Sequence, residues 1–507
     1  MMLDNGMALM AAHLERDGYM PRIFDYNSLN TVETIAREGK ERFLEGVIDG
    51  LSGHISETGA KMIGFKLYAN GFSDSMRIAW ELKRQFPHLM IIGGGPQVEW
   101  FTDAVFTYSQ CMYLTDVFDA LTYGDADMAI TKLADLAHGK GSDLTGIPNL
   151  LYRDRASGDI RRTKRGYADM DELPFPLYDP EVYDTEGKLL IPVNEDSRSC
   201  DGGCVFCVHP RIGGKMRQRS IERLLEEIEH NRGEYGFKVF RLSGPKPSSD
   251  YINSLARQLP EDARFTAFGY SDHHYEEAVA SGKIIGLFIG LESADRRILE
   301  AYRKTDDVDA YLKAARDMTA LFKNHGLATV MSMIIPSPDE TKESMERSLE
   351  FLMDIVPDFV PVLPIGPIPD TPITRAAQAD PEKAGVKLDE NYELTFIRYE
   401  LDLLRAPQEW PRPPLQVRVD GRFRNPFEVT AQFVGGLMKN GIHMLSDEQV
   451  LMAYLYHGGL SKDQAERRKQ CLWYNGLARK AIQEGDVAAL RGLVEKVNEN
   501  QVKGAAR

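Results

Sequence analysis

Cys200-Asp-Gly-Gly-Cys204-Val-Phe-Cys207 gathers three of the chain's five cysteines into eight consecutive positions. The two glycines after Asp201 let the backbone turn tightly, so that three thiolates can converge on one centre. Thiolate sulfur is the ligand of iron–sulfur clusters and of structural zinc, and such centres usually take four ligands. Here three stand together, while Cys111 and Cys471 lie far away in sequence with no partner spacing. Three thiolates leave one metal position open, and an open position serves chemistry. The alternative for the same stretch is a zinc knuckle that borrows His209, two residues past the last cysteine.

The spacing of three residues and then two, with Phe206 ahead of the last cysteine, resembles the cluster loop of radical S-adenosylmethionine (radical SAM) enzymes. That resemblance implies a 4Fe–4S cluster on Cys200, Cys204 and Cys207, with Phe206 beside it. Its fourth iron would bind the methionine end of S-adenosylmethionine. The chain around the loop fits. Leu189–Val193 reads as the strand that delivers it, and helical and extended stretches then alternate. Further strands are predicted at Lys238–Leu242, Phe265–Phe268, Ile284–Gly290, Ala328–Ile335 and Phe359–Leu363. Six such units predict a partial (β/α)6 barrel over residues 189–385, with its site at the carboxyl ends of the strands.

Short phrases at those ends extend the resemblance. Gly290-Leu-Glu292-Ser293 closes the fourth strand, and a carboxylate there can accept charge-assisted hydrogen bonds from an ammonium group. The resemblance implies that Glu292 and Ser293 contact the cofactor; helix capping by Ser293 and Asp295 is the structural alternative. Where many radical enzymes carry a G-G-E phrase after the second strand, this chain reads Leu242-Ser243-Gly244-Pro245-Lys246, and Ser243 with backbone groups is the substitute. Pro336 to Thr341 and Pro369-Asp-Thr371-Pro372 resemble the family's turns after the fifth and sixth strands and are read as scaffold. Arg303 and Lys304 read as a solvated helix end or as contacts to an anion. Tyr270, Asp272, His273 and His274 end the third strand, either facing substrate or simply solvated.

Upstream, residues 1–144 alternate helices with strands at Lys61–Leu67, Leu89–Ile92 and weakly near Ala120–Tyr123. That order implies an open parallel, Rossmann-like sheet covered by helices, with ligands bound at the carboxyl edge. Residues 32–56 are expected to be helical and Arg22–Asp25 a short strand. Gly93-Gly94-Gly95-Pro96 at the end of a strand is either a tight strand–helix turn or a place for close backbone approach. Together with Gln97 and Gly124-Asp125-Ala-Asp127, this segment resembles the cobalamin-binding domain that precedes the barrel in cobalamin-dependent radical SAM enzymes. The resemblance implies cobalamin contacts from Gly93, Gly94, Gly95, Pro96, Gln97, Gly124 and Asp125. Three departures stand out: the chain opens almost inside the first helix, Gln97 stands where a histidine is common, and the usual G-E-G-E reads G-D-A-D. No D-x-H-x-x-G is present, so a histidine below the cobalt is not expected. Residues 145–188, with Asp171-Glu-Leu-Pro174-Phe-Pro176, read as an extended linker, because prolines forbid a continued helix.

Composition sets the outer bounds. The chain has 507 residues, 43% hydrophobic and 27% charged, with a net charge of −15. It is expected to be a soluble, cytoplasmic enzyme, with few cysteines, no membrane span and no basic surface for nucleic acid. Residues 386–507 are expected to form a mostly helical C-terminal domain, beginning with a helix over Asn391–Leu404 and a proline-rich stretch. The basic run Gln416–Asn425 reads as a surface hairpin or a contact to an anionic substrate. The resemblance implies a methyltransferase acting on an unactivated carbon or phosphorus, with a small-molecule or peptide substrate and an external electron donor of flavodoxin or ferredoxin type. A non-methylating rearrangement, cyclisation or oxidation is the alternative, and a non-catalytic iron–sulfur or corrinoid carrier is a third reading.

Overall fold

The structure is a computed structural model that describes residues 1–502, apart from 69–70, 100–113, 142, 272–273, 367, 391 and 393–412. It contains two compact units, one of residues 4–186 and one built from residues 187–389 and from 415 onward, with the first three residues. The helix expected over Asn391–Leu404 lies outside the described residues.

In the first unit, β1 (Met62–Lys66), β2 (Met90–Gly94) and β3 (Ala120–Thr122) run parallel. Two antiparallel strands, β4 (Leu150–Arg153) and β5 (Ile160–Arg162), extend the sheet in the order β1-β2-β3-β4-β5. Alternation places successive side chains on opposite faces. Ile91, Leu121 and Leu151 pack with Leu44, Leu51, Ile78 and Leu82 of the Lys40–Thr58 and Phe72–Gln85 helices. Ile92, Ala120 and Leu150 pack with Ile130 and Leu133 of the Ile130–Ala137 helix. The hairpin falls in the stretch read as a linker: Leu150, Leu151 and Tyr152 are buried on alternate faces, and this apolar run completes the sheet. The helical stretch expected over 32–56 comprises two helices, Leu29–Glu38 and Lys40–Thr58, parted at Gly39 with φ 85°. At Arg22–Asp25 only a bridge from Ile23 to Tyr183 forms.

In the second unit, β6 (Val193–Asn194) leads into a ribbon of β7 (Ser197–Arg198) and β8 (Arg217–Gln218), which flanks the cysteines. Then follow β9 (Val239–Leu242), β10 (Arg264–Gly269), β11 (Ile284–Glu292), β12 (Ala328–Ile334) and β13 (Val362–Leu363). The six barrel strands are parallel in the order β13-β12-β11-β10-β9-β6, as the alternation predicts. Ser220, Ser248, Asp307 and Thr341 cap the helices that follow β8, β9, β11 and β12, each accepting a backbone N–H and so fixing where the chain turns back. β11 is apolar from Ile284 to Leu291 and mostly buried, as expected of a parallel strand covered on both faces. At Gly286 any Cβ would stand 2.7 Å from the Ala328 carbonyl oxygen.

After the barrel, β14 (Val386–Leu388), β15 (Leu415–Val419) and β16 (Arg422–Arg424) form a small antiparallel sheet. Helices Pro426–Lys439, Asp447–His457, Gln464–Glu484 and Val487–Val502 follow. They tie directly to the strands. Asp447 pairs with Arg241 at 3.0 Å, and Gln501 exchanges both its amide groups with the Val239 backbone at 2.9 and 2.8 Å. Asn498 accepts the Leu190 N–H at 2.8 Å. Arg467 meets Asp358 at 3.1 Å with both side chains 1% exposed. Asp358 also accepts the Thr329 N–H at 3.0 Å. Removing one member of such a pair strands a buried charge, at a cost of about 3–5 kcal/mol. Arg467→Leu is therefore expected to lower the unfolding free energy by about that much in urea titration, and Asp358→Asn in the same background to recover part of it.

Candidate active site

The cysteine loop is held from three sides. Ser199, with φ 71°, donates its hydroxyl to the Gly214 carbonyl at 2.7 Å, and a Cβ on Gly213 would come within 2.5 Å of the Ser199 Cβ. The Val205 N–H donates to the Tyr302 carbonyl at 3.1 Å, and the Val205 carbonyl accepts the Ile373 N–H at 3.1 Å. Phe206 packs edge-on against the Tyr302 ring, centroid to centroid 4.9 Å. The Tyr302 hydroxyl donates to Ser337 at 2.7 Å, and the Ser337 N–H to buried Glu340 at 3.1 Å. The turns after β11, β12 and β13 thus converge on this one loop.

Cys200, Cys204 and Cys207 are half-buried and outside any disulfide. Burial pushes the thiols of Cys204 and Cys207 up, the latter to about 11, and a metal cation at the sulfurs reverses that preference. The Gly202 N–H is already directed at Cys200 Sγ at 3.2 Å, as it would be toward a metal-bound thiolate. This donor set fits an iron–sulfur cluster. A zinc knuckle with His209 requires its ligands to converge on one ion. Among the described residues no three Cys, His, Asp or Glu side chains do so. A cluster, whose thiolates bind separate irons, does not require that convergence.

At the end of β11, Glu292 takes the left-handed conformation, φ 68°, and the pairing with β12 slips by one residue between Gly290 and Glu292. Its carboxylate is buried and meets Lys304 Nζ at 3.0 Å. Lys304 is therefore no solvated helix end. Tyr270 donates its hydroxyl to the Lys304 carbonyl and presents its ring to two ammonium groups, Lys246 at 4.6 Å and Lys304 at 5.0 Å. Ser293 is fully buried against Ser348 at 3.4 Å and receives the Asp295 N–H at 3.1 Å, so it braces the turn, while Asp295 caps the following helix. Ser243 lies at the end of β9 as predicted, with its N–H and hydroxyl both on the Asn194 carbonyl, at 3.1 and 3.4 Å. Gly244 donates its N–H at 2.6 Å to Asp196, whose carboxyl burial raises to about 6. His274 is exposed beside Glu276 at 3.5 Å; Asp272 and His273 lie outside the described residues. In the basic hairpin, Arg418 is engaged by Asp339 and Glu382.

The other unit brings its predicted residues to the carboxyl edge of β2 and β3. Side chains at Gly93 and Gly94 would strike Leu121 and Thr122 of the neighbouring strand. Gly95 has φ 101°, and a Cβ there would stand 3.1 Å from the Leu67 carbonyl oxygen. These glycines let the strands close up. After Pro96, Gln97 is 2% exposed, and among the described residues its Nε2 has no hydrogen-bond partner. Gly124, φ 63°, donates its N–H to Glu99, which pairs with Arg165 at 3.2 Å. Asp125 accepts the Ala168 N–H at 2.8 Å and so anchors the chain that leaves this unit's sheet. Glu99, Tyr302 and Tyr311 escape sequence reading because no short motif marks them, whereas Lys304 and Tyr270 were singled out without the partners found here.

Comparison with known proteins places these features. Residues 194–352 match the radical SAM superfamily, so the chain carries a radical SAM domain. An uncharacterised methyltransferase of Pyrococcus horikoshii is 27% identical over 333 residues, 63% of this chain and 70% of the relative. The ribosomal protein uS12 methylthiotransferase of Heliobacterium modesticaldum is 25% identical over 353 residues, 64% of this chain and 69% of the relative. Among solved structures, the radical SAM methyltransferase TsrM from Kitasatospora setae, with cobalamin and a 4Fe–4S cluster bound, superposes with a TM-score of 0.62 at 14% identity, over 100% of this chain and 97% of that one. The cobalamin-dependent radical enzyme OxsB, with aqua-cobalamin and S-adenosylmethionine bound, gives 0.62 at 13% identity, over 95% and 69%. At these identities the likeness to both structures is one of fold.

Burial raises the Glu340 carboxyl to about 7, from an ordinary value of 4.5. The folded value exceeds the unfolded one, so folding takes up a proton between those limits and stability falls as pH rises through that window. Urea unfolding from pH 5 to 8 is expected to show this loss, and E340Q to flatten it.

Proposed function

We propose that this chain, a radical SAM protein with the fold of cobalamin-dependent members, is a methyltransferase that acts on an unactivated carbon or phosphorus. The observation that carries the reading is a loop of three half-buried cysteines, held by the turns after β11, β12 and β13, at the carboxyl end of a six-stranded parallel sheet. Its likeness over the whole chain to TsrM, and the methyltransferase among its relatives, support the choice of reaction. Cys200, Cys204 and Cys207 would hold the 4Fe–4S cluster, Glu292 would receive the cofactor's ammonium group, and Phe206 would wall the loop. Gly93, Gly94, Gly95, Pro96 and Gln97, with Gly124, would line the corrinoid's seat, where the Gln97 amide, without a partner among the described residues, has a donor to offer. Bound there, these cofactors supply an electron that breaks a carbon–sulfur bond of S-adenosylmethionine, and a carrier for the methyl group.

The chain's own part is positioning and shielding. The Val205 clamp holds the cysteine loop, and the Glu292–Lys304 pair, 3.0 Å apart, fixes a buried carboxylate at the end of β11. Tyr270, Tyr302 and Tyr311 close the floor with aromatic surface, which excludes water from reactive species. The substrate is proposed to be a small molecule or peptide, and the electrons to come from a flavodoxin- or ferredoxin-type donor. Among the described residues no helix is long and apolar enough to cross a membrane.

The decisive experiment supplies anaerobically reconstituted protein with methyl-labelled S-adenosylmethionine, cobalamin and a strong reductant, and follows products by mass spectrometry. S-adenosylhomocysteine alongside 5′-deoxyadenosine, with label on cobalamin, is expected. 5′-Deoxyadenosine alone would assign the chain instead to enzymes that rearrange, cyclise or oxidise. Cys204→Ala is expected to abolish cofactor cleavage, and a variant that still cleaves would overturn the cluster assignment.

A further inference from the structure

We infer that Lys246 is the carboxylate receptor of this site. Its ammonium pairs with the methionine carboxylate of S-adenosylmethionine, while Glu292 takes the ammonium group borne by the same carbon. The inference rests on the reading above, in which that cofactor binds beside the cysteine loop.

Four observations carry it. The first is the sign of the charge at the turn after β9. Many radical enzymes place the acid of a G-G-E phrase there. This turn reads Ser243-Gly244-Pro245-Lys246-Pro247, with a cation and no acid before Asp250. The Ser243 hydroxyl is folded back on the Asn194 carbonyl at 3.4 Å, so the polar group that the turn offers is Lys246. A cation there serves the opposite end of an amino acid from the one an acid would serve.

The second is rigidity. Pro245 fixes its own φ, and Pro247 restricts Lys246 to extended backbone. The Gly244 N–H donates to the buried Asp196 carboxylate at 2.6 Å. A Cβ at position 244 would overlap that carboxylate and the Ser197 hydroxyl. The turn is thus pinned to the segment that joins β6 to β7, and only glycine admits the contact.

The third is aim. Lys246 Nζ stands 4.6 Å from the centre of the Tyr270 ring, and Lys304 Nζ stands 5.0 Å from the same ring. The Tyr270 hydroxyl is held by the Lys304 carbonyl, so the ring is fixed in place. Lys304 is itself committed to Glu292 at 3.0 Å. One ring therefore gathers the cation of the β9 turn and the acid of the β11 end. An α-amino acid, with both charges on a single carbon, suits such a pair.

The fourth is availability. Among the described residues Lys246 makes no hydrogen bond, and its ion pair is a long one, 3.7 Å to Asp201. The Asp201 side chain is 71% exposed, and a pair of that kind contributes little. Asp201 follows Cys200 directly, which sets the ammonium against the cysteine loop. A carboxylate arriving there would replace that long contact with a charge-assisted hydrogen bond.

The test is equilibrium binding of two ligands to the iron-loaded full chain. One is S-adenosylmethionine; the other is its decarboxylated form, which keeps the ammonium group and lacks the carboxylate. Wild type, K246Q, K246E and E292Q are compared, with iron content and melting temperature measured for each. K246Q is expected to bind S-adenosylmethionine roughly tenfold more weakly and the decarboxylated ligand as wild type does, the loss of one charge-assisted bond. E292Q should weaken both ligands alike. Equal losses for the two ligands in K246Q, or no loss, would overturn the role of Lys246, and wild-type binding by E292Q would overturn the pairing of the two residues. If K246Q does not fold or load iron, K246E decides. A preference turned toward the decarboxylated ligand supports the inference, and an unchanged preference overturns it. Failure of the iron-loaded wild type to bind S-adenosylmethionine would instead bring down the functional reading.

Discussion

Val205 is the hinge pin of the second unit. Its amide and carbonyl are both committed, one to the turn after β11 and the other to the segment after β13. The residue therefore ties a loop of eight positions to two turns far along the chain. The bonds within that loop, such as the Cys207 N–H to the Cys204 carbonyl at 3.1 Å, do not tie it to the strands. Its geometry is borrowed from the barrel, and the barrel in turn presents its strand ends there because all six strands run the same way. The same dependence explains the Tyr302 to Ser337 to Glu340 chain, which reaches from the Phe206 ring to a buried carboxyl after β12.

Charge is buried in this unit at several places, and in each the partner lies on a different element. Glu292 and Lys304 belong to a strand end and the turn beyond the next helix. Arg219 and Glu227 close over Asn194 at the foot of the loop, and Arg467 reaches from a C-terminal helix to Asp358. Removing charges from water costs more than most such pairs return. They contribute orientation instead: a planar guanidinium or a buried ammonium accepts few arrangements of its neighbours. Around the cysteines this matters more than net stability does.

The architecture was largely legible because its signals are periodic or compositional. The six strands of the barrel, the alternation of the first unit and the cysteine spacing all show in one dimension. Glu292 and Lys304 were both named from the sequence, but their pairing was not legible, because it is reached only through the register slip after Gly290. Leu150–Tyr152 looked like linker since its neighbours are charged and proline-rich, yet its apolar residues complete a sheet. Gly39 splits a helix that periodicity alone would run through. Gln416–Asn425 reads as basic, although Arg418 is engaged by acids from elsewhere in the fold. Apart from Gly39, a local break, the missing information in these cases was a neighbour further along the chain.

Such distance has a kinetic side. The Leu190 amide, just ahead of the cysteines, is bonded by Asn498, 308 residues later, and Val239 by Gln501, 262 residues later. Contacts of that span form late, because the chain must close a long loop before they return anything. The parallel strands between them wait with unpaired edges and open apolar faces, a state prone to aggregation. The ribbon and loop that carry the three thiols are thus among the last parts to settle, and a metal centre would arrive at a nearly finished barrel rather than nucleate one.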